Sequence, residues 1–507
     1  MAATHHIEQQ AATVLPPHIL MQRAGLSIAR LTLALAPHAE CIWIACGPGN
    51  NGGDGFEAAM NLHQWGKTVV VTWTGVASNK SESAIDAHTS RHRAMAVGVQ
   101  ITEQPPKNFD FCIDALLGIG SILDPNRSGT KRIQQWLQIM YASQACRLAV
   151  DIATGLNADT GHSTFSNTSN SIASEDRAHH LKRLFTLSLL TLKPGLFTAQ
   201  GRDLSGEVWF DDLEVNAPFL KLPNAWLLGA DRACARPKLT APHAAHKGSF
   251  GDVAIVGGEF TPDSCMGGAA LLAARAALHS GAGRVFVALL GNSSSSANHS
   301  KLMLDPNQPE LMFRQPKALD FKHQVVVCGC GGGEAVKEIL SLALSTATQL
   351  VLDADALNAI ASDNQFQIIL QARDHKGHIT VLTPHPLEAA RLLGITTAQV
   401  QFDRLMAAQK ISEKFRCVVV LKGSGTVVSD RHQLSHINFS GNALLATAGT
   451  GDVLAGMLGA YIASGLSGFD AACSAVFAHG RRADVWAIER PYQTLSAGAL
   501  ATFSGVT

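Results

Sequence analysis

The 507-residue sequence predicts an α/β protein of two units, each built on a parallel sheet with helices on both faces. Three observations predict it. Short apolar runs alternate with helical patterns almost throughout the chain. The runs are continuously apolar rather than alternating, as strands buried on both faces must be. The length exceeds one domain at ~150 residues each, and 46% hydrophobic against 16% charged residues provides for buried cores rather than disorder.

The runs come in order. The first half holds "CIWIAC" from Cys41, "VVVTWTG" from Val69, "FCIDALLG" from Phe111 and "RLAVDIATG" from Arg147. Ala158–His180 is rich in Ser, Asn and Thr and reads as a long surface loop, because strand-like sequence resumes at Leu184. "EVWFDDLEV" from Glu207 closes this unit, and a proline-containing stretch near Asn216–Pro223 marks the boundary. The expected units are residues 1–216 and 225–507. The second half holds "DVAIVGG", "RVFVALL", "QVVVCG", "LVLDADALN", "ITVLTPH" and "VVVLKGSG", with alanine-rich helical sequence between, such as Ala269–Ser280. There is no internal repeat.

The formal net charge is zero, which removes the broad basic footprint of a nucleic-acid binder. Ten cysteines in a chain this long are not a disulfide framework. Cys41/Cys46 and Cys328/Cys330 lack zinc-finger spacing, no C-x-x-C occurs, and reduced buried thiols are expected. The start, "MAATHHIEQQ", has no basic and apolar leader pattern. The most apolar stretches fall short of the ~20 residues a membrane span needs. The expectation is a soluble, cytoplasmic homo-oligomer whose partners are small molecules, with no nucleic acid and no membrane.

"IWIACGPGNNGGDGFEAAMNLHQWG", Ile42–Gly66, runs from a strand into a glycine loop and then a helix. Such a loop aims backbone N–H groups and a helix start at an anion. Gly47, Gly49 and Gly52 spell G-x-G-x-x-G, but the dinucleotide reading needs an acidic residue about 20 positions on. "KTVVVTWTGVASNK" has none, so the usual fingerprint fails. A plain tight turn would not need Asn50, Asn51 and Asp54. Two more strand ends add oxygens: Asp114, followed by Gly118 and Gly120, and Asp151 with Thr154. In doubly wound sheets ligands bind beyond the carboxyl ends of strands, where Asn51, Asp114 and Thr154 could meet as oxygen ligands of a hard cation.

"GPGNNGGDGF", "DALLGIG" and "VDIATGLNADTG" together resemble the signature of the NAD(P)H-hydrate epimerase family over roughly residues 10–215. The resemblance implies a Rossmann-like three-layer αβα unit. It implies a potassium ion on Asn51, Asp114 and Thr154. It implies that the hydrated nicotinamide nucleotide is bound by Asn50, Asn51, Gly52, Gly53 and Asp54, by Gly118, Ile119, Gly120, Ser121, Ile122, Leu123 and Asp124, and by Asp151, which is also the catalytic residue. Ala153–Thr154 replaces the family's usual Pro–Ser, keeping a hydroxyl and a carbonyl. "LMQRAG" at Leu20–Gly25 lacks the usual acidic residue after Met.

In the second half, "GNALLATAGTGDVLAGML" sets Gly449-Thr450-Gly451-Asp452 ahead of an apolar helix. Glycines let N–H groups close on a phosphate at a helix start, and an aspartate there can take a proton from a substrate hydroxyl. "VVVLKGSGTVV" puts Lys422, Gly423, Ser424, Gly425 and Thr426 at a strand end, suited to a polyphosphate though not a Walker A motif, with a plain hairpin turn as the other reading. "TPHPLEAARLLG" sets His385 and Glu388 at a strand-to-helix junction, where a histidine is more often a cap. Asp353 and Asp355 stand at another strand end.

These segments, with "HKGSFGDVAIVGG" and "MGGAALLAARAALHSGAG", resemble the ribokinase-like ADP/ATP-dependent NAD(P)H-hydrate dehydratase family over roughly residues 225–505. The resemblance implies that Ala269, Gly331, His385 and Asp452 bind the hydrated nucleotide. Lys422, Gly423, Ser424, Gly425, Thr426 and Gly451 would bind the adenine nucleotide, with magnesium on the ADP and Asp452 as the catalytic base. "GCGGG" at Gly329–Gly333 stands where G-P-G-L-G is usual, and Leu387 where glycine is common. The combined implication is repair of hydrated NADH and NADPH: epimerisation of the R and S forms and ADP-dependent dehydration of the S form. Two other readings stay open here. One is a ribokinase-like vitamin or sugar kinase fused to a nucleotide-binding module, and the other is a non-catalytic epimerase-like scaffold.

Overall fold

A computed structural model describes every residue except 76–82, 121–122, 125–128, 165–182, 216–222, 234–241, 262, 292–303 and 504–507. Ser121, Ile122, Asn216 and most of the Ser/Asn-rich segment therefore lie outside the described residues. The chain divides into two compact units, Met1–Pro223 and Asn224–Thr507. No helix among the described residues is long and apolar enough to cross a membrane.

The first unit runs α1 (Ala2–Val14), α2 (Ile19–Leu35), β1 (Cys41–Cys46), α3 (Asn50–Gln64), β2 (Thr68–Trp73), α4 (Ser83–Ala96), β3 (Gln100–Thr102), β4 (Phe111–Ala115), α5 (Thr130–Ala142), β5 (Cys146–Val150), β6 (Leu184–Leu189), the short α6 (Gly201–Ser205) and β7 (Glu207–Asp211). The strands form one parallel sheet in the order β3-β2-β1-β4-β5-β6-β7. Successive side chains of a strand face opposite ways. Ile42, Ile44 and Cys46 pack with Ile28, Ala58 and Leu62 of α2 and α3, and Trp43 and Ala45 pack with Ile133, Trp136 and Leu137 of α5. Both faces are covered, which is why the run is apolar at every position. The strand order reverses between β1 and β4, and this switch point opens a crevice beyond their carboxyl ends.

The second unit runs β8 (Ala225–Leu228), β9 (Asp252–Phe260), α7 (Gly267–His279), β10 (Arg284–Gly291), β11 (Met312–Phe313), β12 (Val325–Cys328), α8 (Val336–Thr346), β13 (Gln349–Leu352), α9 (Ala354–Ser362), α10 (Asn364–His375), β14 (Ile379–Leu382), α11 (Pro386–Leu393), α12 (Thr397–Phe402), α13 (Arg404–Phe415), β15 (Val418–Leu421), β16 (Val427–Asp430), β17 (Gln433–Asn438), α14 (Thr450–Ala463), α15 (Gly468–Glu489) and α16 (Ala497–Thr502). Its ten strands are ordered β11-β10-β9-β12-β13-β14-β15-β16-β17-β8. Val253, Ile255, Val325, Val327, Val351 and Val381 face α7, α14 and α15. On the other side α8, α10 and α13 lie against β12, β14 and β15.

One feature departs from the parallel sheet expected. β15–β16 and β16–β17 are antiparallel. Only Lys422–Thr426 connects β15 to β16, and a parallel return needs a crossover of a dozen or more residues. The glycines of "KGSG" therefore turn the chain straight back.

Candidate active sites

In the first unit a cavity of about 600 Å³ opens at the switch point. Its walls come from α1 (His5, Glu8), the β1–α3 connection (Pro48, Gly49), α3 (Asn50, Asn51, Asp54), the segment after β4 (Leu116–Ile119) and Asp151. The connection is only Gly47–Gly49, so Asn50–Gly52 open the first turn of α3, where backbone N–H groups lack helical partners, and Asp54 follows directly. Gly47 is obligatory: a Cβ there would stand 1.6 Å from Leu116 O, closing the passage between the β1 and β4 ends.

Asp114 is fully buried. Its carboxylate accepts from Thr154 Oγ1 at 2.7 Å, Thr154 N at 3.0 Å and Leu116 N at 3.3 Å. Thr154 Oγ1 in turn accepts from Leu117 N at 3.0 Å. Asn51 lies against Gly118, where a Cβ would be 3.5 Å from Asn51 Oδ1. The three oxygen-bearing side chains read from the sequence thus gather around the Leu117–Gly118 backbone. Asn50 Oδ1 and Asn51 Nδ2 are buried without a protein partner, the condition of polar atoms that await a ligand. Gly118 and Ile119 line the cavity, whereas Leu123 is 5% exposed and packs in the core with Trp43 and Trp136. Gly120 and Asp124 do not line it.

Asp54 is pushed well above the carboxylate range, first by burial, then by Asp151, Glu8 and Glu57. Asp151 sits directly after β5 with φ 64°. It accepts from Leu189 N at 3.0 Å and pairs with the Lys193 ammonium. Lys193 escaped the sequence reading, since nothing in "TLKPGL" ties it to a partner 42 positions away. A lysine directly after an apolar strand was the available signal.

In the second unit the site residues directly follow β12, β13, β14 and β15, again at carboxyl ends. Asp353 is 1% exposed. It accepts from Lys422 Nζ at 2.6 Å and Thr383 Oγ1 at 2.7 Å. Asp452 lies in the first turn of α14, entered through Gly449 at φ 90°, a left-handed conformation that glycine adopts without strain. Cys330 Sγ and one carboxylate oxygen each of Asp353 and Asp452 lie within 4.8 Å of one another. Burial, reinforced by Asp353, pushes Asp452 up to about 7. Burial likewise pushes Glu388 up to about 7, with Lys422 opposing.

The other residues read from the sequence are brought to the same end of the sheet. A Cβ on Gly331 would be 2.8 Å from Ala269 Cβ, and one on Gly451 would be 3.3 Å from Lys422 Nζ. His385 caps α11: its Nδ1 accepts from Leu387 N at 3.1 Å and Glu388 N at 3.4 Å. That leaves Nε2 as the protonated nitrogen of the neutral ring. Burial, then Lys422, holds the imidazole below its ordinary range. Thr426 Oγ1 donates to Gly423 O at 3.1 Å, closing the lysine turn. Buried Arg404, also missed in the sequence, braces that turn by donating to Leu421 O and Lys422 O, each at 3.1 Å.

An open αβα crevice with a bare helix start in one unit, and in the other an aspartate after a glycine turn with a charge-paired lysine, define a class: two-unit α/β enzymes that handle phosphorylated nucleotides. Comparisons with known proteins narrow the class. Residues 253–503 match the family described as NAD(P)H-hydrate dehydratase, and residues 17–195 match that described as YjeF-related protein N-terminus. The chain is 34% identical over 501 residues to the bifunctional NAD(P)H-hydrate repair enzyme of Escherichia coli, covering 95% of this chain and 88% of that one. It is 44% identical over 245 residues to the ADP-dependent (S)-NAD(P)H-hydrate dehydratase of Neisseria meningitidis, covering 47% of this chain and 78% of that one. Among solved structures, the ADP/ATP-dependent NAD(P)H-hydrate dehydratase of Bacillus subtilis co-crystallized with ATP/Mg2+ is 26% identical, with a TM-score of 0.46 over 55% of this chain and 96% of that one. The chain belongs to the family of bifunctional NAD(P)H-hydrate repair enzymes.

Proposed function

We propose that the first unit interconverts the R and S epimers of hydrated NADH and NADPH, and that the second dehydrates the S epimer at the expense of ADP, giving NAD(P)H, AMP and phosphate. The observation that carries the reading is the placement of Asp452 beside the Gly449–Gly451 turn, with the Lys422 ammonium against Gly451. Hydroxide is a poor leaving group and phosphate a better one. Asp452 takes the proton of the ring hydroxyl, that oxygen accepts the β-phosphoryl group of ADP, and phosphate then leaves with the carbon–oxygen bonding pair while carbon 5 loses a proton to solvent, forming the ring double bond of NAD(P)H. The turn's N–H groups hold the transferred group, and Lys422 offsets its charge. His385 and the Ala269–Gly331 contact lie where the hydrated ring would dock.

In the first unit, the Asp114 carboxylate, the Thr154 hydroxyl and the Asn51 amide form an all-oxygen donor set that fits a hard cation such as potassium. The ion would supply positive charge beside the bound nucleotide. In the second unit, Asp353 would serve magnesium carried in on ADP, which typically uses one or two carboxylates plus phosphate oxygens, leaving Asp452 free as the base. The ion would neutralise phosphate charge.

The test mixes the protein with hydrated NADH and ADP and follows the near-ultraviolet band of NADH. Recovery of the band with release of AMP and phosphate is expected. A stable phosphorylated product without NADH would instead mark a small-molecule kinase.

A further inference from the structure

We propose that Lys193 is a positioning residue that holds Asp151 as the proton acceptor of the first unit's cavity, with Asp54 in the same cavity as the matching proton donor. The inference rests on the epimerase reading and adds the acid–base assignment within it.

Asp151 has φ 64°, a sparsely populated conformation for a residue other than glycine. Such strain persists only where the surroundings over-determine it. Here the Leu189 N–H and the Lys193 ammonium both fix the carboxylate. The lysine is 1% exposed and also donates to Leu189 O at 2.7 Å and Ser188 Oγ at 3.3 Å. Its three N–H donors therefore meet three acceptors. It does not line the cavity, whereas Asp151 does. Lys193 can act on a substrate only through Asp151.

Asp54 has the opposite surroundings. It lies on α3, and the charged groups that bear on it are carboxylates: Asp151, Glu8 and Glu57. Asp86 and His5 complete the titratable groups on the cavity wall. One carboxyl is matched to a buried cation and the other to carboxylates, and such divergent environments assign base and acid. Both carboxyls line the same cavity, whose volume of about 600 Å³ leaves room for a reacting ring carbon and a water.

The chemistry balances. Asp54 gives its proton to the hydroxyl on carbon 6 of the hydrated ring. The carbon–oxygen bond breaks, water leaves with the bonding pair, and the ring-nitrogen lone pair forms a C=N bond. Water then adds to the opposite face of carbon 6, Asp151 takes its proton, and the C=N pair returns to nitrogen. The net change is inversion with exchange of one oxygen. Solvent protons reset the two carboxyls.

The first experiment inverts pure R hydrate with wild-type enzyme in ¹⁸O water, corrected for the enzyme-free rate. One solvent oxygen per inversion is expected, and retention of the original oxygen overturns the proposal. Failure of the wild type to invert R hydrate at all overturns the epimerase reading beneath it. Asp54→Asn should lose at least ~100-fold in kcat with KM little changed; full activity overturns the assignment. Lys193→Met should lose ~100-fold at about pH 6 and recover toward wild type at about pH 8, because a carboxylate without its cation ionises later. Lys193→Arg should keep the rate. An unchanged pH profile in Lys193→Met, or a loss equal at every pH, overturns the positioning role.

Discussion

Lys422 Nζ lies 2.6 Å from Asp353 Oδ1 across 69 residues of sequence. The pair joins the ends of β15 and β13. Burial pushes the lysine down, while Asp353 and Glu388 push it up further, and the net shift is upward. The ammonium is therefore a fixed charge against Gly451, where a polyphosphate would arrive.

Breaking this pair should be costly. Asp353→Ala leaves a buried ammonium without its carboxylate, a loss of roughly 3–5 kcal/mol. It also leaves the Thr383 hydroxyl only the longer bond to Leu352 O, at 3.2 Å. The second unit should unfold at lower temperature and lose ADP-dependent dehydration, while the first keeps its epimerase activity. Calorimetry of the full chain with both assays checks this. Unchanged dehydration would remove the pair from the site.

The raised Asp452 makes dehydration pH-dependent. Below about 7 its carboxyl carries a proton and cannot accept another. The rate should rise with pH through an inflection near that value. Glu388 is raised to the same range by its own burial, and both groups feel Lys422 and Asp353. Stability moves the other way. The folded unit holds protons that the unfolded chain has already released, so the contribution is present at low pH and lost as pH rises through about 7. Asp452→Asn should flatten the profile and lower the rate by ~10²–10⁴-fold, sparing epimerisation. A wild-type rate that stays level across this range removes Asp452 as the base.

What the sequence made legible was local. Asn51, Asp114 and Thr154 each sit at the end of an apolar strand, where the sheet's topology delivers side chains to one crevice. Lys422 and Asp353 follow the same pattern, and Asp452 is legible from the glycine turn ahead of an apolar helix. Lys193, Arg404 and Cys330 were not, because each matters through a partner far off in the chain. The hairpin turn at Lys422–Thr426 was legible as an alternative, and the five-residue connection before β16 excludes a crossover; β17 was not read. His385 was weighed as a cap, and the structure makes it one while also bringing it beside Glu388.

The oxygen cluster of the first unit should show as an ion requirement. Thr154→Ala removes a donor from the buried Asp114 carboxylate and the acceptor for Leu117 N, costing roughly 1–3 kcal/mol. Asn51→Ala and Asp114→Ala should each weaken potassium binding and slow epimerisation, with dehydration untouched. Titration of epimerase rate against potassium at fixed ionic strength measures it. Equal wild-type rates with and without potassium would dismiss the ion.

The expected nucleotide preference comes from the likeness to ADP-dependent dehydratases, and the reach of the phosphate chain gives it a physical test. The phosphoryl group to be transferred must reach the Gly449–Gly451 turn beside Asp452. A Cβ on Gly451 would be 3.3 Å from Lys422 Nζ, so the ammonium stands within reach of a phosphate at that turn. With ADP the group arriving there is the β-phosphate, and ATP would carry its γ-phosphate one unit deeper. A site fitted to the shorter chain misplaces the longer one, and an error of about 1 Å can cost ~100-fold in rate. ADP should therefore exceed ATP in kcat/KM for dehydration. Gly451→Ala should weaken ADP binding by putting a methyl group against the lysine, with R/S interconversion unaffected. Equal use of ATP by the wild type would overturn the preference and leave the dehydration chemistry in place.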